Sequence, residues 1–231
     1  MLDYEPLSLS SWCNAGFEMY EKKRYTSAGT YLEPRPDKPP VGEQIFHGLP
    51  FQIGSKESST ESLFIGFGDQ QPLERLPVTI PVGKTPHYVI FAHAVLETNL
   101  WTGGPLGEVI AHYIFHYQSV DPVVVPIRER FEIGNVPVPW GQYPFLCFPD
   151  QIDHLEDRHK GQWERAGFRL TEVGWAVPHG YYLWPWHNPN PNKILEAIEI
   201  VPKKQTFVIA GITLSFLMNP PLCEPRAVRL R

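Results

Sequence analysis

Tyr88-Val89-Ile90-Phe91-Ala92-His93-Ala94-Val95-Leu96 is the stretch whose reading decides the fold. It is almost wholly apolar, short, and rich in β-branched and aromatic residues. A run of this kind is expected of a strand covered on both faces. Downstream, residues 109–117 alternate instead, with Val109, Ala111, Tyr113, Phe115 and Tyr117 on one face, the pattern of a half-buried strand.

Further short runs lie on either side. Around Gln44 the period becomes two, with Ile45, His47, Leu49 and Phe51 alternating with Phe46, Gly48, Pro50 and Gln52. Residues 63–67, 76–82, 123–127, 194–201 and 207–216 are also predicted strands, and residues 175–186 return to strand character. Proline reinforces the reading: 25 residues, spread along the chain, are about twice the average usage of roughly 5%. Each proline removes a donor and clashes with a preceding helical turn, whereas turns between short strands tolerate it. The expected class is all-β, a jelly roll or β-sandwich, formed by residues 44–218.

Two segments depart from this rhythm. Residues 1–43 form an irregular lead-in, with a short helix expected between Ser8 and Tyr20 and an extended Pro34-Arg35-Pro36-Asp37-Lys38-Pro39-Pro40. Residues 150–169 form a polar insertion, read as a helical turn or a surface loop. Within the tail, residues 219–231, the run from Cys223 to Arg231 alternates like a strand just starting, and the tail is expected to open a further domain.

Composition excludes several function classes. The chain of 231 residues carries a formal net charge of -5 and no Lys/Arg stripe, so nucleic acid and anionic membrane are not expected partners. No run approaches the roughly 20 apolar residues of a membrane span, and the N-terminus has no signal-peptide pattern. Cys13, Cys147 and Cys223 are odd in number and far apart, without a Cys-x-x-Cys pair. Together these features suggest a cytoplasmic protein.

Several segments resemble the galactose-binding-like jelly-roll domain that accompanies bacterial carbohydrate-active and hydrolase proteins. They are Phe46-His47-Gly48-Leu49-Pro50-Phe51-Gln52-Ile53, Ile80-Pro81-Val82-Gly83, Val89-Ile90-Phe91-Ala92-His93-Ala94, Tyr113 to Tyr117, and Trp186-His187-Asn188-Pro189-Asn190-Pro191 with Ile194 and Ile198. With an opening like Leu7 to Gly16, the set is similar to the front of carbaryl-hydrolase-type PHP metallohydrolases. There the metal-binding histidines lie in a later domain, and no His-x-His motif occurs in this chain. The resemblance implies the fold and an accessory binding or assembly role. It does not carry over a sugar specificity, because the matching residues are largely core positions and turns.

Candidate sites follow from side-chain chemistry. Sugars stack on aromatic faces and bond amides and carboxylates, a mixture offered by Trp101 with Glu97 and Asn99, and by Trp184 and Trp186 with His187 and Asn188. Large aromatics also fill sandwich cores, and Asn188-Pro189-Asn190-Pro191 is turn chemistry. For a metal, His93 could neighbour His112 from an adjacent strand, whereas His112 and His116 stand about 13 Å apart at roughly 3.3 Å per residue. Asp153 and Asp157 would share a face if their segment were helical. No cofactor is firmly implied, and a structural divalent cation is the one candidate.

No Gly-x-Ser-x-Gly elbow is present, and no catalytic residue is assigned. For glycoside hydrolysis Glu97, Glu108, Asp121, Glu129 and Glu132 supply carboxylates, but their pairing needs a structure. The expected function is a non-catalytic, carbohydrate-binding-like or assembly module accessory to a larger hydrolase. Its partners would be carbohydrate, a second copy in a dimer, or a C-terminal catalytic domain. The alternative is a stand-alone metal- or carboxylate-dependent hydrolase, or the front of a PHP-type metallohydrolase whose catalytic domain is absent from this chain.

Overall fold

A computed structural model describes residues 3–21, 38–54, 62–68, 76–100, 103–138, 143–152, 154–157, 171–174 and 178–222. Strands dominate. In chain order they are β1 (Tyr4–Pro6), β2 (Gly42–Phe46), β3 (Leu49–Ile53), β4 (Ile65–Phe67), β5 (Val78–Lys84), β6 (Tyr88–Val95) and β7 (Val109–Tyr117). Then follow β8 (Val120–Arg128), β9 (Phe148–Pro149), β10 (His154–Asp157), β11 (Thr171–Gly174), β12 (Tyr182–His187), β13 (Leu195–Pro202) and β14 (Phe207–Ser215). A 3-10 turn at Ser10–Trp12 and a single α-helical turn, α1 (Glu18–Glu21), are the helical elements of the described residues.

The larger sheet runs β1-β14-β6-β12-β9, with β4 also paired to β14. The facing sheet runs β5-β13-β7-β8. The ladders among the described residues are antiparallel, and the chain crosses between the two sheets from β5 to β6 to β7 and again from β12 to β13 to β14, while β7 and β8 are neighbours in one sheet. The protein is therefore an all-β sandwich. β6 lies in the middle of the larger sheet and is buried at every residue from Tyr88 to Val95.

Register shows what covers each side of β6. Residues opposite one another across an antiparallel pair point to the same face. Phe91 and His93 lie opposite Trp184 and Tyr182, and this face meets the second sheet through Tyr113 and Phe115. The other face of the sheet is covered by the β2–β3 ribbon: Phe51 lies against Gly211, and the Thr213 hydroxyl donates to the Pro50 carbonyl at 2.6 Å. Tyr20, Phe46, Phe64 and Tyr181 form an edge-to-face and tilted cluster on the same outer side. β6 is buried throughout, and apolar but for His93, because it has a layer on each face.

The structure refines three expectations. The run around Gln44 is two strands, not one: His47 and Gly48 both adopt positive φ, 51° and 80°, the two-residue hairpin turn whose twist matches its strands. The N-terminal segment supplies β1, an edge strand paired with β14, and buries Leu9, Ala15 and Met19. Within the polar insertion His154–Asp157 form a strand, β10, paired antiparallel with β11 just beyond it, so the backbone at Asp157 is extended rather than helical, while Asp153 lies outside the described residues. At its start, buried Asp150 accepts the backbone N–H groups of His179, Gly180 and Tyr181 at 2.6, 2.8 and 3.1 Å.

Candidate functional site

Glu97 and Asn99 follow the end of β6, Glu108 precedes β7, Glu129 follows β8, and Lys204, Gln205 and Thr206 form the turn from β13 to β14. In an antiparallel sandwich these connections all emerge at one end. The ladder fixes their contact: the Glu129 N–H donates to the Glu108 carbonyl at 2.9 Å, and the Glu97 N–H donates to the Thr206 carbonyl at 3.3 Å.

Side chains then join into one network. Lys204 Nζ donates to Glu108 Oε1 at 2.6 Å, and Gln205 Nε2 donates to Glu108 Oε2 at 2.9 Å. The same Nε2 lies 3.5 Å from Glu129 Oε2, so one amide nitrogen stands between two carboxylates. Asn135 Nδ2 donates to Glu129 Oε1 at 2.8 Å, and the Thr206 hydroxyl donates to Glu97 Oε2. Asn99 bonds Glu108, and Thr98 bonds Glu129. The outer members Glu97, Asn99 and Lys204 are exposed, whereas Glu129 and Asn135 are 1% and 0% exposed.

The two central carboxyls titrate in opposite directions. Hydrogen bonding from Lys204, helped by Gln205 and Asn99, pulls the Glu108 carboxyl below its ordinary value. Burial pushes Glu129 up, and the Glu108 charge adds to this, against the hydrogen bonds from Thr98 and Asn135 and the Arg130 charge. Two amide oxygens, Asn135 Oδ1 and Gln205 Oε1, are buried here without a hydrogen-bond partner among the described residues.

Of the residues predicted from sequence, Glu97 and Asn99 belong to this cluster. Trp101 lies outside the described residues. The second predicted group is separate from the first, because β12 ends where β6 begins, at the opposite end of the sandwich. Trp184 and Trp186 are 6% and 7% exposed. Trp184 stacks on Phe91 and His93, and Trp186 lies flat on Phe115, with ring centroids 3.4 Å apart. Both are core residues and offer no open face for stacking a sugar. Asn188 is fully buried: its Nδ2 donates to the Pro86 carbonyl at 2.7 Å, and its Oδ1 accepts from Tyr117 Oη and the Asn190 N–H. His187 is exposed beside the Tyr88 ring.

The two histidines of the metal expectation are likewise placed apart. His93 points into the core, within 3.0 Å of Tyr113 Oη and 2.9 Å of the Glu132 carbonyl. Both ring nitrogens are thus occupied, and burial depresses its pKa to about 3. His112 neighbours Tyr113 on β7 and so faces outward, away from His93. Asp153 and the side chain of Asp157 lie outside the described residues. Among the described residues no three His, Cys, Asp or Glu side chains converge as a metal-ligand set.

Elsewhere, a groove of about 630 Å³ runs between β1 and the ribbon, lined by Pro6, Ser8, Ile45, Pro50 and Phe51 with a polar rim. It touches none of the candidate residues. Among the described residues no helix is long and apolar enough to cross a membrane. The chain matches no protein-family model, no curated protein and no solved structure.

Proposed function

We propose that this sandwich is a non-catalytic binding module that takes a carbohydrate at the end carrying Glu97, Asn99, Glu108, Lys204 and Gln205. The observation that supports the reading is the network itself. Carboxylate oxygens, amides and an ammonium converge at one loop end, and its outer members face solvent while a buried layer of Glu129 and Asn135 holds them in place. Sites that fix a ligand by a few placed polar groups on a rigid scaffold have this composition.

A second reading has one observation in its favour. Two neighbouring carboxyls pushed apart in pKa are the arrangement of an acid–base pair. Against it, Glu129 is 1% exposed and lies behind Glu108 and Gln205, out of a substrate's reach. Binding without turnover is the better account.

The test is a thermal-shift screen of the chain against neutral and acidic oligosaccharides and divalent metals, with parallel incubation for hydrolysis. A ligand that binds only the folded state raises the melting temperature according to its concentration relative to Kd. A sugar-dependent rise without product supports the module. Product formation that is lost in Glu108→Gln would replace it with the hydrolase, and no shift with any sugar would remove the carbohydrate reading.

A further inference from the structure

Among the described residues, Phe145 is the one phenylalanine, tyrosine or tryptophan whose side chain is exposed, at 59%. The other described rings are buried or half-buried, Trp184 and Trp186 included. Phe145 does not stand alone on the surface. Leu146 follows it, 47% exposed, and Leu106, 53% exposed, precedes the Gly107 that packs on Phe131.

The ring is held in place. Its own backbone N–H donates to the Arg130 carbonyl at 2.9 Å, and the Leu146 N–H donates to the Phe131 carbonyl at 3.1 Å. Phe131 meets it at 5.2 Å between centroids and a tilt of 51°, and the Arg130 guanidinium lies over it, 5.2 Å from the centroid. A ring backed on one face by Arg130 and still 59% exposed presents its opposite face to solvent. A side chain already fixed in this way loses little conformational freedom when a ligand lies on it.

The ring borders the polar network at the loop end. A Cβ on Gly107 would stand 3.2 Å from the Phe131 ring, and the next residue is Glu108, whose carboxylate Lys204 and Gln205 hold. Lys204 is 66% exposed, and Glu97 and Asn99 are exposed on the same end. An apolar face and polar groups that reach solvent therefore lie side by side.

Charge and ring chemistry narrow the ligand. Glu97, Glu108 and Glu129 are matched by Lys203, Lys204 and Arg130, so no positive excess is present to hold a phosphodiester chain. The guanidinium behind the ring draws on the same quadrupole that a second cation in front would need. A pyranose meets neither obstacle. Its C–H face is apolar, its hydroxyls both donate and accept, and lying flat on a ring requires no cavity.

Resting on the binding site proposed above, we infer that Phe145 is its stacking platform, taking the C–H face of one pyranose of an oligosaccharide. Neighbouring units bond the exposed Asn99 amide and Lys204 ammonium through their hydroxyls.

Titration calorimetry of the full chain with cellotetraose, xylotetraose and galactotriose tests this, with decathymidylate as the competing stacking ligand. The expected result is binding of at least one of the sugars. Phe145→Ala should weaken that binding by about tenfold, the loss of one buried aromatic face. Its melting temperature should stay within about 2 °C, as for other surface substitutions. Phe145→Tyr keeps the face and should bind within about threefold of the unaltered chain. Ile45→Ala, exposed on the β2–β3 ribbon, should leave affinity unchanged. A folded Phe145→Ala variant with unaltered affinity overturns the inference and leaves the binding module standing. An equal loss in Phe145→Tyr also overturns it, because a packing role and not the open face would then be at stake. Binding of decathymidylate in place of the sugars overturns it in favour of a nucleobase, and no binding of any sugar overturns the module with it.

Discussion

Replacing Trp186 by alanine should unfold the protein more readily without touching the proposed site. The indole is 7% exposed and lies on Phe115 at 3.4 Å between centroids and 8° between planes, linking the two sheets. Large-to-small substitution of a buried Trp costs about 3–5 kcal/mol, the sum of lost transfer energy and the cavity left behind. In a chain of this size each kcal/mol lowers the melting temperature by about 2–4 °C, so the drop should be about 6–20 °C. The assay is urea denaturation followed by far-UV circular dichroism, with the midpoint falling at an unchanged slope. If Trp186 were a surface stacking platform, the same change would cost no more than about 0.5 kcal/mol. A loss below 1 kcal/mol combined with lost sugar binding would refute the reasoning.

Other expectations follow from single contacts. Asp150→Ala removes the acceptor of three consecutive N–H groups, two of them buried, and should cost about 2–4 kcal/mol in chemical denaturation. A Cβ on Gly134 would lie 2.5 Å from the Tyr182 ring, so Gly134→Ala should lower the melting temperature, whereas Ala at open Gly103 is strained only by its positive φ of 83°. His93 has its pKa lowered in the fold to about 3 from 6.5, so it contributes stability above about pH 6.5 that is lost as pH falls. The slope should be about 1.4 kcal/mol per pH unit below pH 6.5, and NMR of the imidazole should show no protonation between pH 7 and 4. Glu129 has the opposite sign. Its raised carboxyl stabilises the fold on the acid side and loses that contribution as pH rises through its folded value, so Glu129→Gln should remove this fall from the stability–pH profile.

The fold was legible where one strand's own pattern reports its surroundings. β6 and β14 are continuous apolar runs because both faces are covered, and β7 alternates because one face of its sheet is open. The hairpin was not legible, because His47 takes the positive φ that turn rules assign to Gly or Asn, and its alternation continues unbroken through the turn. Tryptophan carried a double meaning: the same ring serves a ligand platform or a wide core, and only the pairing of β12 with β6 turned Trp184 and Trp186 inward.

The candidate site shows what sequence leaves out. Glu97 and Asn99 are candidates by chemical type alone. Glu108 and Glu129 were visible as carboxylates, but their meeting depends on the β7–β8 register. Gln205 gave one local signal, its place in a tight Lys203-Lys204-Gln205-Thr206 turn between two strong strands, and nothing local connects that turn to Glu129.

The most direct test of the central claim is amide NMR of the chain during titration with a neutral trisaccharide. The account predicts that the shifts concentrate on Glu97, Asn99, Glu108 and the Gln205 backbone and side-chain amides. Shifts centred instead on Trp186, His187 and Asn188, at the far end of the sandwich, would contradict it.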